Sequence, residues 1–152
     1  MSDAASSQSE QVLKVCLIVE EGDGIASVAE KVAEENGWKS VAVHNGESAL
    51  RLLQMRNWDA VLIDDGLQGL TSCMVMEHFR EWEKKNRVNR QKNVYLVNSS
   101  FIPTSLATSS TVQLPSGFDG AIGKPVSAKG FKDFLKNSVD GKNCMSHDIV
   151  RR

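Results

Sequence analysis

Five short, mostly apolar runs, each about the length of one strand, alternate with stretches whose apolar residues recur at helical spacing. No other feature of this sequence constrains the fold as strongly. The runs are VLKVCLIV (12–19), SVAV (40–43), AVLI (60–63), VYLV (94–97) and GAIG (120–123). Most are continuously apolar rather than alternating, as expected for strands buried on both faces. Between them, Ile25, Val28, Ala29, Val32 and Ala33 share one helical face, and Ala49, Leu52 and Leu53 a second. Val75, Phe79 and Trp82 mark a third helix, and Phe131, Phe134 and Leu135 a fourth. Strands alternating with helices predict an α/β fold with a doubly wound, five-stranded parallel sheet.

The chain of 152 residues is long enough for one domain with a proper core. Its expected organisation is a flexible leader over 1–11, the domain over 12–139 and a flexible tail over 140–152. The Ser/Thr-rich stretch from Asn98 to Gly117 has no clear periodicity and hides one short helix at most. With 18 Lys+Arg against 19 Asp+Glu, charge names no polyanionic or membrane partner. No apolar run approaches the roughly 20 residues needed to cross a bilayer. The N-terminus lacks a signal pattern, so the expectation is a cytoplasmic protein. Cys16, Cys73 and Cys144 are odd in number and widely spaced, which predicts free thiols rather than a disulfide framework or a zinc site. The basic run KKNRVNRQK lacks interleaved aromatics, so it reads as a solvated helix end and no nucleic-acid contact is expected. His44, His78 and His147 have no consistent partner and read as surface or packing residues.

Ligands of open parallel sheets bind beyond the carboxyl ends of the strands. Glu20 and Glu21 follow the first strand, Asp64 and Asp65 end the third, Asn98 and Ser99 the fourth, and Lys124 the fifth. Carboxylates gathered there repel one another by about 4 kcal/mol per pair at 4 Å and an effective dielectric of 20. A hard divalent cation relieves that repulsion, and an all-oxygen donor set suits Mg2+, which leaves positions for phosphate oxygens. A lysine on the same rim completes a cradle for a phosphoryl group.

The run LKVCLIVEE, AVHNGESALRLLQ, WDAVLIDD and GFDGAIGKPVS, in that order, resembles the receiver domain of two-component response regulators and hybrid histidine kinases. The resemblance spans residues 13 to about 138 and implies a flavodoxin-like, CheY-like (βα)5 fold. It implies that Asp64 is the phosphoacceptor, attacking phosphohistidine on a histidine kinase or histidine phosphotransfer protein. It further implies a metal site of Glu20, Glu21, Asp64 and the Gly66 carbonyl, phosphate contacts from Lys124 and from Asn98 or Ser99, and a cis peptide before Pro125. Asp65 is expected to be merely exposed. Enzymatic activity would amount at most to self-phosphorylation and autodephosphorylation.

The sequence also departs from the family pattern. Two glutamates stand where aspartates are usual, Leu67 and Gln68 replace Met-Pro, Asn98 stands at the Ser/Thr position, and Ala121 occupies the aromatic switch position. An alternative follows: a pseudo-receiver that keeps the fold as a protein-binding module. A phosphatase of related fold would need a substrate cap, and the sequence has no insertion for one.

Overall fold

The computed structural model describes residues 13–98, 114–140 and 149–151. The elements in chain order are β1 (Lys14–Val19), α1 (Gly24–Glu35), β2 (Trp38–Val43), α2 (Gly46–Met55), β3 (Ala60–Asp64), α3 (Ser72–Asn86), β4 (Val94–Asn98), β5 (Gly120–Gly123), α4 (Ala128–Asp140) and β6 (Ile149–Arg151). They form one sheet of order β2-β1-β3-β4-β5-β6. Its first five strands are parallel, as the alternation predicts.

The sixth strand is a correction. It pairs antiparallel with β5, Ile122 opposite Ile149 and Gly120 opposite Arg151, within the stretch expected to be a loose tail. Three residues are too few to carry a readable period, and their pairing is supplied by the open edge of β5. The leader, the Ser/Thr-rich stretch over 99–113 and residues 141–148 lie outside the described residues.

Alternation along each buried strand divides the core in two. Cys16, Ile18, Leu62, Tyr95, Val97 and Ile122 face α1 and α4, where Ile25, Ala29, Val32, Phe131 and Phe134 meet them. Leu17, Val19, Val61, Ile63, Val94 and Leu96 face α2 and α3, packing on Ala49, Leu53, Val75, Met76 and Phe79. Successive strand residues point to opposite faces, so a run apolar at every position can line two helical layers. Tyr95 and Phe134 meet edge to face at 4.9 Å.

Helix starts and stops follow local chemistry. Asn45 Oδ1 accepts from the Ser48 amide at 2.8 Å and caps α2, and Thr71 Oγ1 accepts from the Met74 amide and caps α3. Gly37, at φ +76°, turns the chain out of α1. Gly46 has a packing role: a Cβ there would lie 2.3 Å from the Leu70 carbonyl oxygen and 2.9 Å from Val75 Cγ2. The Asn-Gly pair thus caps a helix and lets the loop after β3 rest directly against that helix's start.

Candidate functional site

With β1, β3, β4 and β5 adjacent, their carboxyl ends form one rim. Asp64 is the last residue of β3 and Lys124 immediately follows β5. Lys124 Nζ lies 2.5 Å from Asp64 Oδ1 and 3.0 Å from Asp65 Oδ1. Asp64 Oδ1 is shielded from solvent, and the Lys124 ammonium is its close compensating neighbour. Partial burial works to lower the Lys124 pKa, but hydrogen bonding and Coulomb attraction from Asp64 and Asp65 outweigh it and the net shift is upward. The Lys124–Pro125 peptide is cis. Gly66 lies over this pair, where an added Cβ would come within 3.5 Å of Asp64 Oδ2.

Asp65 corrects the expectation of a merely exposed residue. It is half-buried, its amide donates to the Val97 carbonyl at 2.9 Å, and its carboxylate shares Lys124 with Asp64. Leaving the strand after Asp64 frees its side chain to turn back.

The two glutamates are brought to the rim but engaged differently from a simple pair of metal ligands. Glu20 is only 5% exposed, and its Oε1 accepts from the Ala26 amide at 2.7 Å. Asp23, in the N-cap position of α1, makes no side-chain cap bond. Glu20 therefore serves as the cap from six residues upstream, with its negative charge at the helix end that favours it. Glu21 Oε1 accepts from the Gln68 amide at 2.8 Å, tying the end of β1 to the loop after β3. His44 Nδ1 lies 3.0 Å from the Glu20 carbonyl oxygen, a contact that sequence spacing did not suggest.

A cavity of about 640 Å3 opens on this rim, with Glu20, Asp64 and Lys124 as its polar walls and Ile25, Val28 and Val126 among its apolar ones. Among the described residues no three His, Cys, Asp or Glu side chains stand close enough together to hold a metal. Magnesium does not require three: it is commonly held by one or two carboxylates with the remaining positions filled by water and phosphate. Glu20 and Asp64 share the cavity, and the Oδ1 of Asp64 is shielded there from solvent. This all-oxygen donor set fits a hard divalent cation. Asn98 ends β4 on the same rim, and Ser99 lies outside the described residues.

No family model matches the chain. A co-crystal structure of the Saccharomyces cerevisiae histidine phosphotransfer signaling protein with the receiver domain of its downstream response regulator aligns at TM-score 0.69 and 16% identity, covering 90% of this chain and 95% of that one. The chain has the fold of a response-regulator receiver domain. A second receiver structure, from a Pseudomonas aeruginosa sensor histidine kinase with magnesium coordinated in the active-site cleft, aligns at TM-score 0.65. It is 21% identical, and the alignment covers 86% of this chain and 100% of that one. In sequence, the chain is 26% identical over 113 residues to the sensor histidine kinase GacS of Pseudomonas protegens. That match covers 74% of this chain and 12% of the kinase, so the chain corresponds to a small part of that protein's length. Among the described residues, no helix is long and apolar enough to cross a membrane.

Proposed function

We propose that this receiver fold is a phosphoacceptor in a His-to-Asp phosphorelay, and that Asp64 accepts the phosphoryl group from a histidine of a kinase or histidine phosphotransfer protein in the cytoplasm. The observation that carries this reading is the Asp64 carboxylate, poised at the end of a central strand, with one oxygen shielded and an ammonium 2.5 Å away. An Asp64 oxygen forms a bond to phosphorus as the phosphorus–nitrogen bond to the donor imidazole breaks. The imidazole leaves with the bonding electron pair and keeps a proton, and the product is an acyl phosphate on Asp64.

Lys124 has a defined part in that reaction. Its charge offsets the negative charge of the incoming group beside Asp64, and the Asp64 and Asp65 carboxylates favour its protonated form. Asn98, and Ser99 beyond it, supply neutral donors for phosphoryl oxygens. Glu20, Asp64 and the Gly66 carbonyl would hold Mg2+, with Glu21 fixing the loop that carries Gly66 through its bond to the Gln68 amide. When bound, the metal neutralises charge on the transferring oxygens.

A second reading, the pseudo-receiver that binds proteins without phosphorylation, is favoured by one specific observation. Both glutamates already accept backbone hydrogen bonds, so each has a structural role that needs no metal. One experiment separates the readings: the chain is treated with Mg2+ and beryllofluoride, or with a small acyl-phosphate donor, and followed by amide NMR and intact mass. A response that Asp64→Asn abolishes supports the phosphoacceptor. Silence toward both reagents overturns it and leaves the binding module.

A further inference from the structure

The near balance of positive and negative charge over the whole chain conceals an uneven distribution. At the end of the sheet opposite the Asp64 rim, on the face covered by α2 and α3, the run from Lys84 to Lys92 holds five cations and no acid. Lys14 at the start of β1 and Arg56 at the end of α2 stand at the same end. The acids nearby are engaged or turned elsewhere. Asp119 Oδ1 lies 2.8 Å from Arg90 Nη2, Glu83 is buried against Arg80, and Asp59 accepts from the Val15 amide at 2.9 Å. Glu34 and Glu35 end α1, on the other face of the sheet. Among the described residues, Lys14, Arg56, Lys84, Lys85, Arg87 and Lys92 have no acid within ion-pair distance.

Apolar side chains project among these cations. Val88 is 100% exposed and Met55 70%. Arg87 ties the two together: its guanidinium stacks over Trp82 at 5.0 Å and donates to the Leu53 carbonyl and Asn57 Oδ1, on either side of Met55. The loop that carries Val88 is braced from its far end. Arg80 donates to the Gly117 carbonyl through Nε and Nη2 at 3.1 and 2.9 Å, and to the Gln91 carbonyl and Glu83 Oε1 through Nη1 at 2.9 Å each. Glu83 Oε2 in turn accepts from the Gln91 amide. The cations spread apart around these tips. Arg87 lies against Phe79 and Trp82, whereas Lys84 lines the other flank of α3 beside Ser116 and Gly117. Such divergent charges suit no compact anion, and an acidic protein would need fixed carboxylates to match each of them and a pocket for Val88. An anionic bilayer meets both needs, because its headgroups move laterally to each cation and its acyl boundary accepts exposed apolar tips.

We propose that this pole docks reversibly on an anionic phospholipid surface, with Val88 and Met55 entering the headgroup boundary and Lys84, Lys85, Arg87 and Lys92 facing the lipid phosphates. Charge and apolar insertion are each weak anchors alone, and the two together give peripheral contact without a spanning helix. Docking in this way turns the Asp64 rim away from the bilayer, and it is independent of acceptor chemistry there.

The test is co-sedimentation of the full chain, at near-physiological salt, with vesicles of phosphatidylcholine alone or of phosphatidylcholine and phosphatidylglycerol in equal parts. Saturable partition is expected to the mixed vesicles, and partition weaker by about tenfold or more to the neutral ones. Lys84→Glu combined with Lys85→Glu is expected to weaken partition to the mixed vesicles by about tenfold or more, and Val88→Asp to weaken it severalfold. Lys129→Glu combined with Lys132→Glu is the control: it makes the same change in net charge on α4, where both side chains are exposed. All of these substitutions fall on exposed side chains, and an unchanged amide spectrum verifies that each variant is folded. Equal partition to both kinds of vesicle, or equal weakening by the control pair, would overturn the proposal. No saturable partition to the mixed vesicles would also overturn it, and saturable binding of soluble polyglutamate in that case would assign the face to an acidic protein.

Discussion

Removing the Glu20 side chain tests whether this acid acts as a helix cap, a charge, or both. Glu20→Ala deletes the acceptor of the Ala26 amide and leaves that N–H without its partner at the start of α1. A hydrogen bond to a charged group contributes about 1.5–3 kcal/mol, and the helix-end charge adds about 0.3–1 kcal/mol. Relief of repulsion from the nearby Asp64 carboxylate, partly screened by Lys124, works in the opposite direction. The expected net loss is about 2 kcal/mol, or roughly 4–8 °C in Tm for a chain of this size. Glu20→Gln keeps an oxygen acceptor in place and removes only the charge, so its loss is expected to stay below about 1 kcal/mol. Urea and thermal unfolding give the stabilities, and the shifts of backbone amides around Glu20, Asp64 and Gly66 on magnesium titration read cation affinity. A stable Glu20→Gln protein that no longer binds magnesium assigns Glu20 both roles. An alanine variant as stable as the wild type would refute the capping role.

Gly46→Ala forces a methyl group to within 2.3 Å of a backbone carbonyl that no rotamer change can move, so a loss of about 1–3 kcal/mol is expected in urea unfolding, with amide shifts over residues 65–70. Arg80→Leu leaves Glu83 buried without its cation, and a loss of about 3–5 kcal/mol is expected by the same measurement. Lys124 binds its proton more tightly in the folded chain than in the unfolded one. Its stabilisation is therefore complete below the unfolded pKa of about 10.4 and is lost as pH rises through the higher folded value. The gap in urea midpoint between wild type and Lys124→Met should be constant from neutral pH to about 9 and close above 10.5; a gap that widens there contradicts the assignment.

The strands and the shared rim were legible because burial on two faces leaves continuous apolar runs, and parallel strands send their carboxyl ends the same way. The pairing of Lys124 with Asp64 follows from that geometry. The use of Glu20 and Glu21 was not legible, because a carboxylate that caps a helix six residues away has the same sequence as one awaiting a cation. The Arg80 network left a partial signal. Glu83 lies on the stripe of Val75 and Phe79, so a charge on the buried face announced a partner. That partner is three residues back in sequence, but its other contacts, at Gln91 and Gly117, depend on how two loops meet. Strand β6 was invisible because its pairing partner, rather than its own sequence, supplies the strand.

One guanidinium, that of Arg80, holds three separate stretches of chain: its own helix, the approach to β4 at Gln91, and the approach to β5 at Gly117. None of the three can open alone without breaking bonds that belong to the others. Their amide protons should therefore exchange with deuterium as one cooperative block, at a pace set by the release of a single side chain.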